Sequence, residues 1–600
     1  MAIIRDIRDL DTADARDVSI PASRVDLHLS GNSPAEGSAF PSPDDYGWSV
    51  PDAQIPGKLD AKMAALRALS AIPPFEPVPS VGYQSQGRVL ILAGDTRVTR
   101  AVDVLVDKMP VAVLWTGKGP APSLPGDVEI VSAQLVSLEG YLGAFVLGFQ
   151  RPGEETKGAT FDIVLDLQAE PAFRMHQPPQ GYLHAVDENA LQSALTELPE
   201  MVGEFEKPKF FNYKENVCAH SRSKKIGCNS CIDVCSTQAI SPDGDRIKVD
   251  PHLCMGCGAC ATVCPSGALS YQYPRVSDRG AQLRALLGAY RQAAEASAGR
   301  PVVLIHDAAE GRAALSSLAR SGRGLPADVL PLEAWHVASV GLDVLLGAIA
   351  YGAGAVAVLS TQSVAPAYEA ALRHEMAVGE AILQGLGYSG THFYWLTAAD
   401  AEASLWQRSP SATVTNAALF HLSNDKRGTL EFILDHLVAQ ARVKPVEIPL
   451  PTASLYGRIA VDKDKCTLCL ACAGACPESA LMDGGEQPQL SFLERNCVQC
   501  GLCEKTCPEN AITLHPRLAL TDARKQAVVL NEAEPFNCIS CGKVLGTRQM
   551  IDNLLGKLAG HSMFQGEEKR RRLQMCADCR VVDMMSNPHE MSILTGRPLS

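Results

Sequence analysis

Sixteen of the twenty cysteines in this 600-residue chain crowd into four short runs, and that spacing constrains its folding more than any other feature. Cys466, Cys469, Cys472 and Cys476 stand at C-x2-C-x2-C-x3-C with Pro477 next, and Cys497, Cys500, Cys503 and Cys507 repeat the run ahead of Pro508. Cys254, Cys257, Cys260 and Cys264, followed by Pro265, form a third copy. The remaining run is altered: Cys218, then the nine residues AHSRSKKIG, then Cys228, Cys231 and Cys235, with Ser236 in the proline position. An even cysteine count admits disulfides. Met1 to Leu10, however, reads MAIIRDIRDL, without the basic and apolar regions of a secretory signal. A reducing, cytoplasmic setting is therefore expected, where spaced cysteines hold metal. Structural zinc takes two C-x2-C hooks per ion and has no use for a third cysteine at a second x2 step. Three cysteines so spaced wrap one face of an iron–sulfur cube, and the x3 step carries the fourth thiolate away. The expectation is four [4Fe–4S] clusters.

The stretches at about 215–275 and 458–515 resemble bacterial-type dicluster ferredoxins, in which the fourth cysteine of each run serves the other cluster. That resemblance implies four ligand sets. Cys466, Cys469, Cys472 and Cys507 hold one cluster, and Cys497, Cys500, Cys503 and Cys476 hold its neighbour. Taking Cys218 as the displaced first ligand, Cys218, Cys228, Cys231 and Cys264 hold a third, and Cys254, Cys257, Cys260 and Cys235 the fourth. The insertion brings Arg222, Lys224 and Lys225 beside the third set. Cations near a cluster favour its reduced state, so the insertion is expected to raise that potential or to serve as a docking loop.

The last four cysteines differ. Cys538-x2-Cys541 and Cys576-x2-Cys579 are two hooks thirty-four residues apart, the four-cysteine pattern of zinc, with Gly542 suited to a knuckle turn. A fifth iron–sulfur cluster is the alternative. Met550 to Leu558 between the hooks is expected to be helical.

Six hundred residues exceed one core, and periodicity divides the chain. An N-terminal extension and Pro-rich linker (1–84) includes an extended arm over Ser30 to Gly57 and a helix over Lys58 to Ser70. An α/β domain follows (85–205), with strands Val89–Ala93, Val111–Trp115 and Phe161–Leu167, a helix Thr96–Asp107 and a long amphipathic helix Asp187–Glu206. After the first dicluster module (206–280) comes a second α/β domain (285–405), doubly wound. Its strands are Val302–Ile305 and Ala355–Leu359, and its helices cover about Arg312–Arg320, Val340–Tyr351 and Ala365–Leu386. A linker or helical segment (406–457), the second dicluster module (458–520) and a small C-terminal zinc-type module of four cysteines (530–600) complete it. The fold class is thus multidomain α/β plus α+β.

A net charge of −13 argues against nucleic acid, and four clusters at about −2 each would deepen it. The longest uncharged apolar run, Val344–Leu359, is too short to span a membrane. Gly352 to Ala357 matches G-x-G-x-x-A but precedes its strand, the reverse of a dinucleotide site. The Gly94-Asp95 turn has the right order with too few glycines, so a packing turn is expected. His374-Glu375 and Arg570 to Arg572 read as solvated faces. The stretch PLEAWHVASVGLDVLLGAIAYGAGAVAVL looks like the small delta subunit of hydrogenases that feed heterodisulfide reductase, without that family's cysteines. With KFFNYKENVCAHSRSKKIGCNSCIDVC, the whole arrangement is similar to large 4Fe–4S proteins encoded beside proteobacterial formate dehydrogenases. This implies an electron-transfer protein whose redox partner is a formate dehydrogenase or another molybdoenzyme. The alternatives are a maturation or redox-sensing factor and a flavin- or NAD-linked oxidoreductase subunit.

Overall fold

The computed structural model describes residues 5–6, 57–125, 128–294, 299–321, 323–485, 487–558, 561 and 566–586. The expected arm over Ser30 to Gly57 lies, but for Gly57, outside them, as does the end of the C-terminal module beyond 586. The chain forms two compact units, one of 1–213, 230–242 and 247–442, the other of 214–229, 243–246 and 443–600. Among the described residues no helix is long and apolar enough to cross a membrane.

In the first unit, apolar runs bounded by turns become buried parallel strands. Five align in the order Tyr182–His184, Ile163–Asp166, Val89–Ala93, Val111–Trp115 and Glu129–Ser132. One face packs on the helices Arg97–Leu105 and Glu188–Glu197 through Ile91, Val98, Val102, Leu165 and Leu191. The other carries Leu90, Leu92, Leu114 and Val164 against Phe145 and Leu147 of an antiparallel sheet, Gln134–Glu139, Phe145–Gln150 and Lys157–Phe161, which periodicity does not suggest.

The long helix expected over Asp187–Glu206 is shorter. Asp187 caps it by accepting from the Ala190 N–H, and it ends at Glu197 because Pro199 lacks an amide hydrogen; a single 3-10 turn, Leu198–Met201, follows. The chain then extends as strand Gly203–Pro208, antiparallel to Ser80–Ser85.

The second parallel sheet orders Val329–Ala334, Val302–Asp307, Ala355–Ser360 and Phe393–Thr397. Its helices are Glu310–Ser321, Leu342–Ala350, Pro366–Gly385 and Ala401–Gln407. Gly352, at φ 101°, turns the chain from helix into strand, so the G-x-G-x-x-A stretch lies ahead of its strand, opposite to a phosphate cradle.

The crevice where strand order reverses is where such sheets bind ligands. In the first sheet, Arg97 donates to the Leu167 and Ala185 carbonyls, and buried Asp166 accepts from the Gln168 and Ala172 amides and the Tyr182 hydroxyl. In the second, Asp307 accepts from the Ala309 and Gly311 amides and the Thr361 hydroxyl. Both strand ends are thus tied up by the protein's own groups.

In the second unit, Gly457–Val461 pairs with Ile512–Ala519, which also takes Glu447–Pro449; Gln487–Phe492 pairs with Leu481–Gly484 and Val528–Glu532. Between them lie the short helices Ala471–Ala475 and Leu502–Thr506, and Ile459, Leu468, Leu490, Phe492 and Ile512 form the core. Between the C-terminal hooks lie the helices Arg548–Leu558 and Glu567–Arg572.

Two side chains expected on solvated faces are buried. Glu375 is 7% exposed, because helix Pro366–Gly385 packs that side against helix Leu342–Ala350 and near Lys426. Arg572 is also 7% exposed and donates to Asp583 at 2.6 Å; Arg570 and Arg571 are exposed as expected.

Candidate iron–sulfur and metal centres

Three cysteine runs share one backbone device. The residues on either side of the second cysteine take left-handed conformations: Leu468 (φ 54°) and Leu470 (60°), Gln499 (52°) and Gly501 (77°), Gly256 (75°) and Gly258 (82°). Such alternation curls the loop so that successive N–H groups face inward, making a concavity suited to an anionic group. At Gly256 a side chain has no room, since a Cβ would lie 2.6 Å from the Phe210 ring. Beyond the last cysteine of every run a further left-handed residue turns the chain: Ser479, Asn510, Gly267 and Gln238. Amide hydrogens then point at three of these sulfurs, Ala480 N to Cys476 at 3.3 Å, Ala511 N to Cys507 at 3.3 Å and Leu269 N to Cys264 at 3.4 Å. Donors of this kind stabilise a thiolate.

In the second unit a cavity is lined by Cys466, Cys469, Cys472 and Cys507 together with Leu490 and Ile512. Burial, then Cys469, Cys466 and Cys507, push the Cys472 thiol up to about 12. A second group gathers Cys497, Cys500, Cys503 and Cys476: burial first, then Cys497, Cys476 and Cys228, push Cys500 up to about 12. Cys503 is raised by burial and by Cys497, Cys500 and Cys476.

In the first unit Cys254, Cys257, Cys260 and Cys235 assemble. Burial pushes Cys257 up to about 12, with Cys254 and Cys235 adding to it while a hydrogen bond from Tyr368 opposes. Cys260 is raised well above the ordinary thiol range by burial, then by Cys257, Cys254 and Cys235. Of the remaining set, Cys218 and Cys228 belong to the second unit and Cys231 and Cys264 to the first.

Buried thiols packed this closely resist ionising beside one another. Cationic iron removes that obstacle, so each gathered foursome fits a [4Fe–4S] cube as its donor set, and the cube would supply one-electron chemistry there.

The strand pair Ser80–Ser85 and Gly203–Pro208, and the 3-10 turn Val337–Ser339, also support the Cys254 run. Tyr83 Oη and buried Lys207 Nζ both donate to the His252 carbonyl at 2.6 Å, and Thr262 Oγ1 donates to the Ala338 carbonyl at 2.7 Å. Burial lowers the Lys207 ammonium to about 8, against the pull of Cys254 and Asp250. Lys426 Nζ donates to the carbonyls of Ala261, Thr262 and Cys264 at 3.1, 2.6 and 3.0 Å. Cysteine spacing gives no sign of these cations; a buried lysine is visible only once the chain is folded.

At the C-terminus the sulfurs of Cys538, Cys541, Cys576 and Cys579 lie within 4.8 Å of one another, with Cys541 and Cys576 3.6 Å apart. A tetrahedron with bonds of about 2.3 Å has edges of about 3.8 Å. The spacing therefore suits one ion; a cube, whose thiolates sit on four separate irons, needs them farther apart. The Cys576 amide, and then those of Cys541 and Ser540, hold Cys538 down at about 6. Gly542 N bonds to Cys538 O at 2.9 Å and Cys538 N to Lys543 O at 2.8 Å, closing the knuckle.

Comparison with known families matches residues 226–268 to a 4Fe-4S dicluster domain, and residues 459–482 and 491–513 to a 4Fe-4S binding domain. Those spans contain every cysteine of the four runs except Cys218, and none of the C-terminal four. No curated protein matches the chain. The chain carries 4Fe–4S ferredoxin-type domains, whose chemistry is electron transfer.

Proposed function

We propose that this protein is a cytoplasmic electron relay with four [4Fe–4S] clusters, held by the ligand sets given above, which exchanges electrons with a redox enzyme. The observation that carries the relay is the packing of the insertion. Lys505 Nζ, on helix Leu502–Thr506, donates to the Gly227 carbonyl at 3.1 Å, and a Cβ on Gly227 would sit 3.0 Å from Leu502 Cβ. Cys228 follows Gly227, and Cys500 and Cys503 flank Leu502, so ligands of the two modules meet within one compact unit.

One zinc ion on Cys538, Cys541, Cys576 and Cys579 is part of the same reading, on the strength of the sulfur spacing. Resemblance to proteins encoded beside formate dehydrogenases makes a molybdenum or tungsten formate dehydrogenase the first partner to test. Anaerobically purified protein is expected to contain about sixteen iron and sixteen sulfide per chain, with one zinc, to take up four electrons reversibly, and to co-purify with such an enzyme from its native cell. Protein without acid-labile sulfide refutes the relay; a flavin band or loss of iron on redox cycling favours the oxidoreductase or sensing alternatives.

A further inference from the structure

The surroundings of Cys235, Cys254, Cys257 and Cys260 differ from those of the other sets. Lys207, 3% exposed, holds the His252 carbonyl two residues before Cys254. Lys426, 8% exposed, fastens the Ala261 and Thr262 carbonyls directly after Cys260, and also the carbonyl of Cys264, a member of the neighbouring set. The Tyr368 hydroxyl, on helix Pro366–Gly385, lies beside the Cys257 thiol and is hydrogen-bonded to Ser236 Oγ. Ser236 occupies the place that proline takes after the other three runs, so the departure from pattern gains a partner there.

The opposing charges are weaker. Asp250 is partly solvated and engages the His252 and Leu253 amides, and Glu375 faces Lys426. Among the described residues, the corresponding positions of the second unit hold no buried lysine. Glu509 lines the Cys466 cavity and pairs with exposed Lys557, and the Cys497 sulfur accepts from neutral Gln499 at 3.2 Å. Arg222 bonds to the Ser221 carbonyl near Asp245, while Lys224 and Lys225 are exposed and screened by solvent.

Reduction adds one negative charge to a cluster, and a cation or hydrogen-bond donor nearby stabilises that charge most where solvent is excluded. Resting on the cluster assignment above, we propose that Lys207, Lys426 and the Tyr368 hydroxyl make the cluster of Cys235, Cys254, Cys257 and Cys260 the highest-potential centre of the four, the place where electrons collect. An electron arriving from any other cluster reduces this one and leaves the donor oxidised. The insertion cations, which the sequence puts forward for this part, are secondary.

The test is a redox titration of the intact protein followed by EPR, comparing wild type with Lys207→Met and Tyr368→Phe at matched iron and sulfide content. In Lys207→Met the highest of the four midpoints is expected to fall by at least a ten-fold change in reduction equilibrium, about 59 mV for one electron, with the other three unmoved. Tyr368→Phe removes a single oxygen and is expected to shift the same midpoint in the same direction. A full complement of clusters with all midpoints unchanged in both variants overturns the proposal, as does a shift confined to another cluster. If Lys207→Met loses its cluster, Tyr368→Phe decides. Wild-type protein that holds no clusters refutes the underlying assignment instead.

Discussion

Glu375 is the residue for which folding alters acid–base behaviour most usefully. Burial, opposed by Lys426 and aided by Asp343, raises its carboxyl to about 7. Its folded form therefore keeps a proton that the unfolded chain has released, and ionisation destabilises the fold as pH rises from the ordinary carboxylate range through 7. Glu375→Gln is expected to melt higher than wild type at pH 8, on the order of 3 kcal/mol in favour of the variant, with a smaller advantage at pH 5.5. Thermal unfolding at the two pH values measures this, and equal melting temperatures at pH 8 refute it. The residue also marks a limit of reading from sequence. Cysteine ligands announce themselves through spacing, which local loop geometry enforces. Glu375, Lys207 and Tyr368 gain their roles from burial by segments far away in the chain, and nothing adjacent to them signals it.

At the scale of elements, strands Val89–Ala93 and Val111–Trp115 and helix Lys58–Ser70 are legible to the residue, because dense apolar runs and flanking turns mark them. Strand Val329–Ala334 contains Pro331 and Glu333 and carries no such signal, yet it pairs with Val302–Asp307 and is almost wholly buried. The helix over Asp187–Glu206 is overextended in the sequence because amphipathic spacing outweighs Pro199. The insertion behaves as an element in its own right: Ser221–Arg222 pairs with Lys225–Ile226 around left-handed Ser223 and Lys224, and Ser221 Oγ anchors it to Asp245 at 3.0 Å. Gly227→Val would overfill its seat on Leu502 by about 1–3 kcal/mol. The expected outcome is unchanged iron content with slower electron equilibration between modules after photoreduction. A rate equal to wild type argues that the contact is not on the electron route.

At the scale of the whole molecule, the C-terminal segment is tied to the loop of the Cys466 run. Thr547 Oγ1 donates to the Thr467 carbonyl at 3.0 Å and Gln549 Nε2 to the Asp464 carbonyl at 2.7 Å, on the loop that carries Cys466 and Cys469. Removing zinc with a chelator under anaerobic conditions is expected to loosen this module while the four clusters persist. On exposure to air, the Cys466 cluster should then bleach several-fold faster than in the zinc-loaded protein, followed by loss of visible absorbance. Equal bleaching rates count against a protective role.

Residues 214–229 fold into the same compact unit as 443–600, although more than two hundred residues of chain separate them. Synthesis proceeds from the N-terminus at about 5–20 residues per second, so Cys218 and Cys228 leave the ribosome well before the Leu502–Thr506 helix on which Gly227 settles. For roughly ten seconds or more at that pace, two nascent thiols wait without their scaffold. If the proposed ligand set holds, its loading belongs to the end of translation or after it, and a ribosome stalled near residue 440 is expected to display a chain with these two thiols still open to alkylation.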